Sequence, residues 1–309
     1  MNIRVLLCVV SAVVLPACAL LGGSGRIPDR IVMERGGFIP EGVEFDTNAR
    51  RFLTGSLADG TIYEIGFDGA LIPAVVDDEL VSSIGIEADE PRDRLMVANS
   101  DSSIFGGQGQ GQAMLGVYRL SSGERIAMVD LGAVAGGNDD SVFLANDVTV
   151  DNEGNAYLTD TRMNVVYRVD ANYEASVFYR FEPTPGLGLN GIVHHDDGYL
   201  IVVAVGGQGL LYRIPVDDPD AAGLIELSQP ATGADGLVWS ADGSLIVVSN
   251  STGSALAYTS NDGWNSAALT GTASFEGQAT TGAAVDDDIY VVQPHFNDDE
   301  RPVLLRARF

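Results

Sequence analysis

Short apolar runs alternate with turn residues along most of the chain. In one example residues 148–150 (Val-Thr-Val) precede the turn 151–155 (Asp-Asn-Glu-Gly-Asn), and the apolar runs 156–159 and 165–169 follow. Runs of this length, rich in β-branched and aromatic residues and bounded by Asn, Asp and Gly, are typical of strands joined by tight turns. We find no amphipathic helix longer than two turns, so the pattern predicts an all-β protein.

A three-residue phrase recurs where such strands begin. It consists of a lead residue that is usually polar, then Gly or Asp, then an aliphatic residue, and its lead residues are Glu41, Ile84, Asn146, Asn190, Asp235 and Thr281. The intervals between successive lead residues are 43, 62, 44, 45 and 46 residues. A period of about 45 residues is that of a four-stranded propeller blade. The sequence therefore predicts a six-bladed β-propeller with four-stranded antiparallel blades, in which residues 31–33 add a strand beside residues 303–305 to close the ring.

Four of the six lead residues carry a side-chain carboxylate or amide. In a propeller the first strand of each blade lines the central channel, so Glu41, Asn146, Asn190 and Asp235 are expected at one mouth of it. Two carboxylates and two amides are ligands that a hard cation prefers, which favours Ca²⁺ and disfavours zinc or copper. The alternative is turn chemistry alone, since Asn, Asp and Gly are common before strands. The preferred prediction is a divalent metal, Ca²⁺, in the channel.

Other candidate residues lie in the turns that follow the second strands, because these turns return to the same mouth. The polar residues predicted there are Asn99, Asp160, Asn250 and His295. An insertion of residues 102–114 in the second repeat is expected on the same side, either as a lid or as a surface loop. Ile84 and Leu144 would make one side of the mouth apolar.

Composition narrows the possible partners. The 309 residues have a formal net charge of −26, and every basic residue is Arg. Such a surface repels phosphate backbones, so nucleic acid is an unlikely partner, and the lack of Lys excludes Schiff-base chemistry. The two cysteines, Cys8 and Cys18, both precede the predicted propeller, so no disulfide is expected within it.

The N-terminus has the pattern of an export signal. A short positive region is followed by the apolar run 5–15 and by Leu15-Pro16-Ala17-Cys18, which resembles a bacterial lipobox. We predict a secretory signal at residues 1–18, a tether at 19–30 and a single propeller at 31–309. The protein is then a periplasmic or cell-surface lipoprotein held to a membrane only by a lipid on Cys18, or alternatively a freely secreted protein. The sequence does not predict the oligomeric state.

The repeated phrase, in this order and at blade spacing, resembles the superfamily of gluconolactonase, regucalcin (senescence marker protein) and paraoxonase from about Phe38 to the C-terminus. That resemblance implies a six-bladed propeller whose divalent metal, usually calcium, is held by residues matching Glu41, Asn190 and Asp235. Asn146 would lie on the metal or on a bound water or substrate. The implied activity is hydrolysis of a lactone or related ester.

Two departures from the family pattern bear on the substrate. Leu144 stands where gluconolactonase-like members have an Arg that recognises a polar substrate, and Ile84 stands where paraoxonases have a His. We therefore expect a less polar lactone or ester, bound by Ile84, Leu144, Asn99, Asp160 and Asn250. Asp235 is the expected proton acceptor and His295 is the other candidate base. The alternative is a non-catalytic propeller that holds a structural calcium and binds a ligand or protein.

Overall fold

The computed structural model describes residues 26–107, 109–182, 188–205, 208–296 and 300–309. The predicted signal, including Cys18, and most of the predicted tether lie outside these residues. The tether prediction is wrong at its C-terminal end, because Ile27 is buried in the core and its carbonyl accepts hydrogen bonds from Arg306 and Tyr290. No helix within the described residues is long and apolar enough to span a membrane.

The chain forms six small antiparallel sheets, which are the six predicted blades. Within each blade the strands are ordered from the channel outwards. Blade 1 contains Val43–Asp46, Arg51–Thr54, Ile62–Ile65 and Leu71–Val75. Blade 2 contains Ser82–Asp89, Arg94–Ser100, Met114–Arg119 and Arg125–Asp130. Blade 3 contains Phe143–Val150, Ala156–Asp160, Val165–Val169 and Ala175–Arg180.

The second half of the ring follows the same plan. Blade 4 contains Gly188–His195, Tyr199–Val205, Leu210–Pro215 and Gly223–Leu224. Blade 5 contains Ala234–Trp239, Leu245–Ser249, Ser254–Thr259 and Ser266–Ser274. Blade 6 contains Gly282–Val285, Asp288–Gln293, Val303–Arg306 and Arg30–Val32. The first strands of neighbouring blades contact one another all around the ring, which confirms the predicted propeller.

Short elements complete the described chain. Two-residue strands at Gly111–Gln112 and Glu226–Leu227 pair in parallel with blades 3 and 5. The 3-10 helices lie at Glu90–Arg92, Ser102–Gly106, Gly132–Val134 and Pro219–Ala221.

The two ends of the propeller close the ring as predicted. Ile31 pairs with Leu304 and Val32 with Val303, so the N-terminal strand becomes the outermost strand of blade 6. Arg306, which is almost fully buried, supports this closure through an ion pair of its Nε with Asp29 Oδ1 at 3.2 Å. Pairing both termini within one blade removes the open edge that an unclosed ring would expose.

The core lies between the blades and is apolar and aromatic. Tyrosines on the third strands contribute to it, and Tyr118, Tyr167 and Tyr258 are fully buried. Each hydroxyl has a polar partner; Tyr118, for example, donates to Asp77 Oδ2 at 3.0 Å. A buried phenol costs little free energy when its hydroxyl is hydrogen-bonded, so these rings can fill the space between blades.

Candidate functional site

The recurring phrase corresponds to a defect in strand pairing. In blades 2 to 5 the register of the first strand shifts at the lead pair, between Ser83 and Ile86, Ala145 and Val148, Leu189 and Ile192, and Ala234 and Leu237. In blade 1 the first strand begins at Val43, just after the lead pair, and in blade 6 it begins at Gly282, just after the lead residue. A β-bulge redirects a side chain at the end of a strand. The lead residues are therefore released from the ladder where the strands reach the channel mouth.

In blades 1 to 5 the residue after the lead residue lies where neighbouring blades touch. A Cβ on Gly42 would lie 2.3 Å from the carbonyl oxygen of Ile84, and one on Gly191 would lie 2.5 Å from that of Asp235. No side chain fits at such distances, so these two positions require glycine. Blade 3 has Asp147 instead, and its carboxylate accepts the backbone N–H of Ile192 in blade 4 at 3.0 Å. The second position of the phrase thus holds the inner ring of strands together.

The mouth opens into a cavity of about 580 Å³, a volume in the usual range for small-molecule sites. It is lined by the four lead residues with carboxylate or amide side chains, Glu41, Asn146, Asn190 and Asp235. The other lining residues are Ile39, Leu57, Ala58, Ile84, Ser102, Phe105, Leu144, Thr161, Arg162 and Phe296. The structure therefore brings the predicted metal ligands together beside the predicted apolar residues Ile84 and Leu144.

Burial and nearby negative charges destabilise the ionised forms of the two carboxyl groups of this set. Burial raises the pKa of Glu41 well above its usual value, and the nearby charges of Asp235 and Asp147 raise it further. Burial also raises the pKa of Asp235 to about 7, although hydrogen bonds from Asn250 and Asn190 oppose this. Two half-buried or buried carboxyl groups that repel each other are stabilised by a cation between them.

The amide side chains are oriented by further hydrogen bonds. Asn146 donates its Nδ2–H to Thr161 Oγ1 at 2.9 Å, which leaves its Oδ1 uncommitted. Thr161 in turn donates to the carbonyl of Leu189 at 2.6 Å. Partners of this kind fix the orientation of metal ligands in proteins.

The donor set fits a hard divalent cation. Two carboxylates and two amides at one mouth supply oxygen ligands, and backbone carbonyls or water can complete the six to eight that Ca²⁺ takes. The described residues contain no group of three or more His, Cys, Asp or Glu side chains suited to a metal, so a metal at this mouth would need Asn146 and Asn190 as ligands besides the two carboxylates.

Asn250 lies behind Asp235 rather than on the cavity surface. Its Nδ2–H donates to Asp235 Oδ2 at 3.0 Å, and its Oδ1 accepts from Gln278 Nε2 at 2.9 Å. The predicted substrate contact of Asn250 is therefore corrected to a positioning role, in which it orients the Asp235 carboxylate.

Asn99 and Asp160 are fully buried and do not line the cavity. Asn99 accepts the N–H of Val81 at 2.9 Å and donates to the carbonyl of Glu79 at 2.8 Å. Asp160 accepts the N–H groups of Arg162 and Met163, both at 2.9 Å. Asn99 holds the segment that leads into blade 2, and Asp160 holds the turn that follows it in the chain, so the structure does not support either residue as a substrate contact.

His295 occupies a strained turn near the mouth. Its backbone has a positive φ of 56°, and its Nδ1 lies 3.9 Å from Glu300 Oε2. The next residue, Phe296, lines the cavity, whereas His295 is not among the lining residues that the structure describes. Of the two candidate bases, Asp235 is the one with a position in the cavity.

The insertion forms part of the cavity wall. Residues 102–106 form a 3-10 turn that presents Ser102 and the exposed ring of Phe105 to the cavity, and Ile104 packs beneath them against Ile84 and Leu144. Gly111 and Gln112 then pair with the first strand of blade 3. This agrees with the lid interpretation for the described part of the insertion; Gln108 lies outside it.

Sequence reasoning missed the rest of the wall and the one basic residue of the described lining. Ile39 and Leu57 carry no motif, since their contribution depends on loops that meet only in the folded ring. Phe296 follows His295 in a turn that the sequence does place at this mouth. Arg162 could have been noticed, because it stands in a turn already expected at this mouth.

A second group of carboxyl residues lies deeper in the channel. Glu44, Glu87 and Asp147 line a void of about 20 Å³ between the first strands. Burial raises the pKa of Glu44 to about 8 and that of Asp147 to about 7, and it raises the pKa of Glu87 well above the usual value. The sequence contains a signal for this group that the sequence analysis did not use: Glu44 and Glu87 each stand three residues after a lead residue.

Comparison with known proteins identifies the fold and no sequence family. No family model matches the chain, and no curated protein matches it. Among solved structures, the Malassezia sympodialis allergen Mala s 1 superposes with a TM-score of 0.75 at 17% identity, over 92% of this chain and 97% of the allergen. A gluconolactonase from Xanthomonas campestris gives 0.65 at 15% identity, over 90% and 89%. A luciferin-regenerating enzyme gives 0.64 at 12% identity, over 91% and 95%.

These likenesses cover almost the whole described chain. They confirm, at the level of fold, the predicted six-bladed propeller and its resemblance to the gluconolactonase type. The chain therefore has the propeller fold that gluconolactonases and a luciferin-regenerating enzyme share.

Proposed function

We propose that this protein is a calcium-dependent hydrolase of a lactone or related ester that is less polar than a sugar lactone. The observation that carries the proposal is the composition of one cavity. Glu41, Asn146, Asn190 and Asp235 line it together with apolar residues that include Ile84 and Leu144. The likeness in fold to gluconolactonases supports the reaction class by analogy alone.

The proposed chemistry uses the metal and Asp235 together. A divalent cation held by these ligands would polarise the carbonyl oxygen of the ester and stabilise the negative charge that develops there. Asp235 would accept the proton of the attacking water. Burial raises the pKa of Asp235 to about 7, close to the range in which a general base is effective, and a bound cation would lower that pKa.

The apolar wall supports the proposed substrate. Leu57, Ile84, Ile104 and Leu144 are all buried in one hydrophobic cluster beside the metal ligands, and Phe296 packs against it. A sugar acid would lose water from its hydroxyl groups against such a wall without gaining hydrogen bonds. An alkyl or aryl group of a lactone or ester would gain favourable burial there instead.

A panel of alkyl lactones, aryl esters and gluconolactone, assayed with and without EDTA, tests the proposal. We expect turnover of the apolar substrates that EDTA abolishes and that added Ca²⁺ restores. Asp235→Asn should abolish it as well, whereas Asp287→Asn, on an exposed turn, should not. Turnover that survives EDTA or Asp235→Asn would contradict the mechanism. Calcium binding without any turnover would instead favour the alternative, a non-catalytic binding propeller with a structural calcium.

A further inference from the structure

Arg162 combines three features that no part of the proposed hydrolysis uses. It is the one basic side chain among the described residues that line the cavity, which also holds two carboxylates. Within the described chain its guanidinium has neither an ion pair nor a hydrogen bond. The hydrogen bond that Arg162 does make is donated by its backbone N–H to Asp160. Many other arginines of the chain are paired, such as Arg51, Arg94 and Arg306.

The backbone that carries Arg162 is fixed in place. Asp160 accepts the N–H groups of Arg162 and Met163 at 2.9 Å and that of Leu144 at 3.1 Å, and the hydroxyl of Tyr167 donates to its other oxygen at 3.0 Å. The turn is thereby attached to the first strand of blade 3, beside Leu144. A cation on a rigid turn loses less conformational freedom on binding than one on a mobile loop.

The same turn is connected to a candidate metal ligand. Thr161, the residue before Arg162, accepts the side-chain N–H of Asn146 at 2.9 Å. A ligand whose ester carbonyl lies at Asn146 and its neighbours would therefore have Arg162 within the same cavity, next to the apolar wall.

We propose that Arg162 binds a carboxylate on the substrate, so that the substrate class is an amphipathic ester or lactone with a free carboxylate and an apolar body. This inference rests on the proposed function for the ester, but the carboxylate site can be tested without it. Guanidinium matches a carboxylate with two parallel hydrogen bonds. In a chain of formal net charge −26, the general field repels anions, so an anionic ligand needs a local cation.

Binding of two small probes separates the carboxylate site from catalysis. Hexanoate and hexanamide have the same length, and only the first is charged. In EDTA we expect the wild-type protein to bind hexanoate more tightly than hexanamide, as measured by competition or calorimetry. Arg162→Gln should remove this preference, Arg162→Lys should retain part of it, and Arg30→Gln, which removes an exposed charge from blade 6, should leave it intact.

Turnover then tests the specificity. Mono-4-nitrophenyl glutarate carries a free carboxylate, and 4-nitrophenyl butanoate is its neutral counterpart. The ratio of their kcat/KM values should fall about 10-fold in Arg162→Gln, mainly through KM, as expected for loss of a charge-assisted hydrogen bond.

The outcomes are distinguishable. An unchanged preference for hexanoate and for the glutarate ester in Arg162→Gln would overturn the carboxylate site and leave the hydrolase proposal standing. Absence of any turnover, together with a hexanoate preference that depends on Arg162, would refute the hydrolase and support the carboxylate site.

Discussion

Replacing Glu44 with Gln should stabilise the calcium-free protein at neutral pH. The Glu44 side chain lines the narrow channel beneath the candidate metal site, together with Glu87 and Asp147. Burial raises its pKa to about 8, and the charges of Asp147 and Glu90 add to the effect, although the N–H of Phe45 donates to its carboxyl at 3.3 Å. Gln keeps the size of the protonated side chain and its capacity to accept that bond.

The sign and size of the effect follow from proton linkage. Because the folded-state pKa is above the unfolded one, the folded protein binds the extra proton between pH 4.5 and about 8. The free energy of unfolding is therefore highest at acidic pH and decreases as pH rises through this window. A shift from 4.5 to about 8 corresponds to about 3 kcal/mol of lost stability at pH 7 and at most about 5 kcal/mol above pH 8, at 1.36 kcal/mol per pKa unit.

Relaxation of the channel and entry of water reduce these figures, so we expect Glu44→Gln to raise the free energy of unfolding by about 1–3 kcal/mol at pH 7 to 8. For a domain of this size that corresponds to a rise in Tm of several degrees, at about 2–4 °C per kcal/mol.

Thermal unfolding in EDTA at pH 5, 7 and 8.5 provides the assay. The difference in Tm between Glu44→Gln and wild type should be largest at pH 8.5 and should narrow toward pH 5. Glu124→Gln, in an exposed turn, removes the same formal charge and serves as the control. A Glu44→Gln protein that is less stable than wild type at pH 8.5, or a difference that does not change with pH, would refute the reasoning.

Three further predictions concern the mouth. Gly191→Ala should lower the free energy of unfolding by about 2 kcal/mol and weaken calcium binding, because the added Cβ would lie 2.5 Å from the backbone oxygen of Asp235. Chemical denaturation measures the stability. Gly223→Ala is the control, because a Cβ there meets no atom within 4 Å. Asn250→Ala removes a hydrogen bond that lowers the pKa of Asp235, so the acidic limb of the pH–rate profile should move to higher pH; an unmoved limb would contradict the positioning role. Phe105→Ala should raise KM for an alkyl lactone a few-fold through lost apolar contact, with kcat largely unchanged, and an unaltered KM would contradict a substrate contact.

The fold was predictable because it repeats. Glu41, Asn146, Asn190 and Asp235 stand at blade spacing, and a repeated register is visible in a single sequence without knowledge of long-range contacts. The same register predicted that these four residues lie at one mouth, and in the structure all four line one cavity there. What they bind remains a proposal.

The failures share a physical cause. Asn99 and Asp160 lie at the expected ends of second strands. Whether a polar side chain there faces the cavity or bonds nearby backbone depends on local geometry that composition does not encode. The β-bulges at the lead pairs of blades 2 to 5 were likewise hidden from the sequence. Ile39 and Leu57 reach the cavity through contacts between loops of different blades, which a single sequence does not show.

Calcium binding, measured by calorimetry on the EDTA-treated protein, tests the central claim most directly. The account predicts a site that binds one Ca²⁺ per chain and that is lost or greatly weakened when Glu41→Gln and Asp235→Asn are combined. The Asp287→Asn variant should bind as wild type does. No detectable binding to the wild-type protein, or equal binding to the double variant, would contradict the assignment of Glu41, Asn146, Asn190 and Asp235 as the metal site.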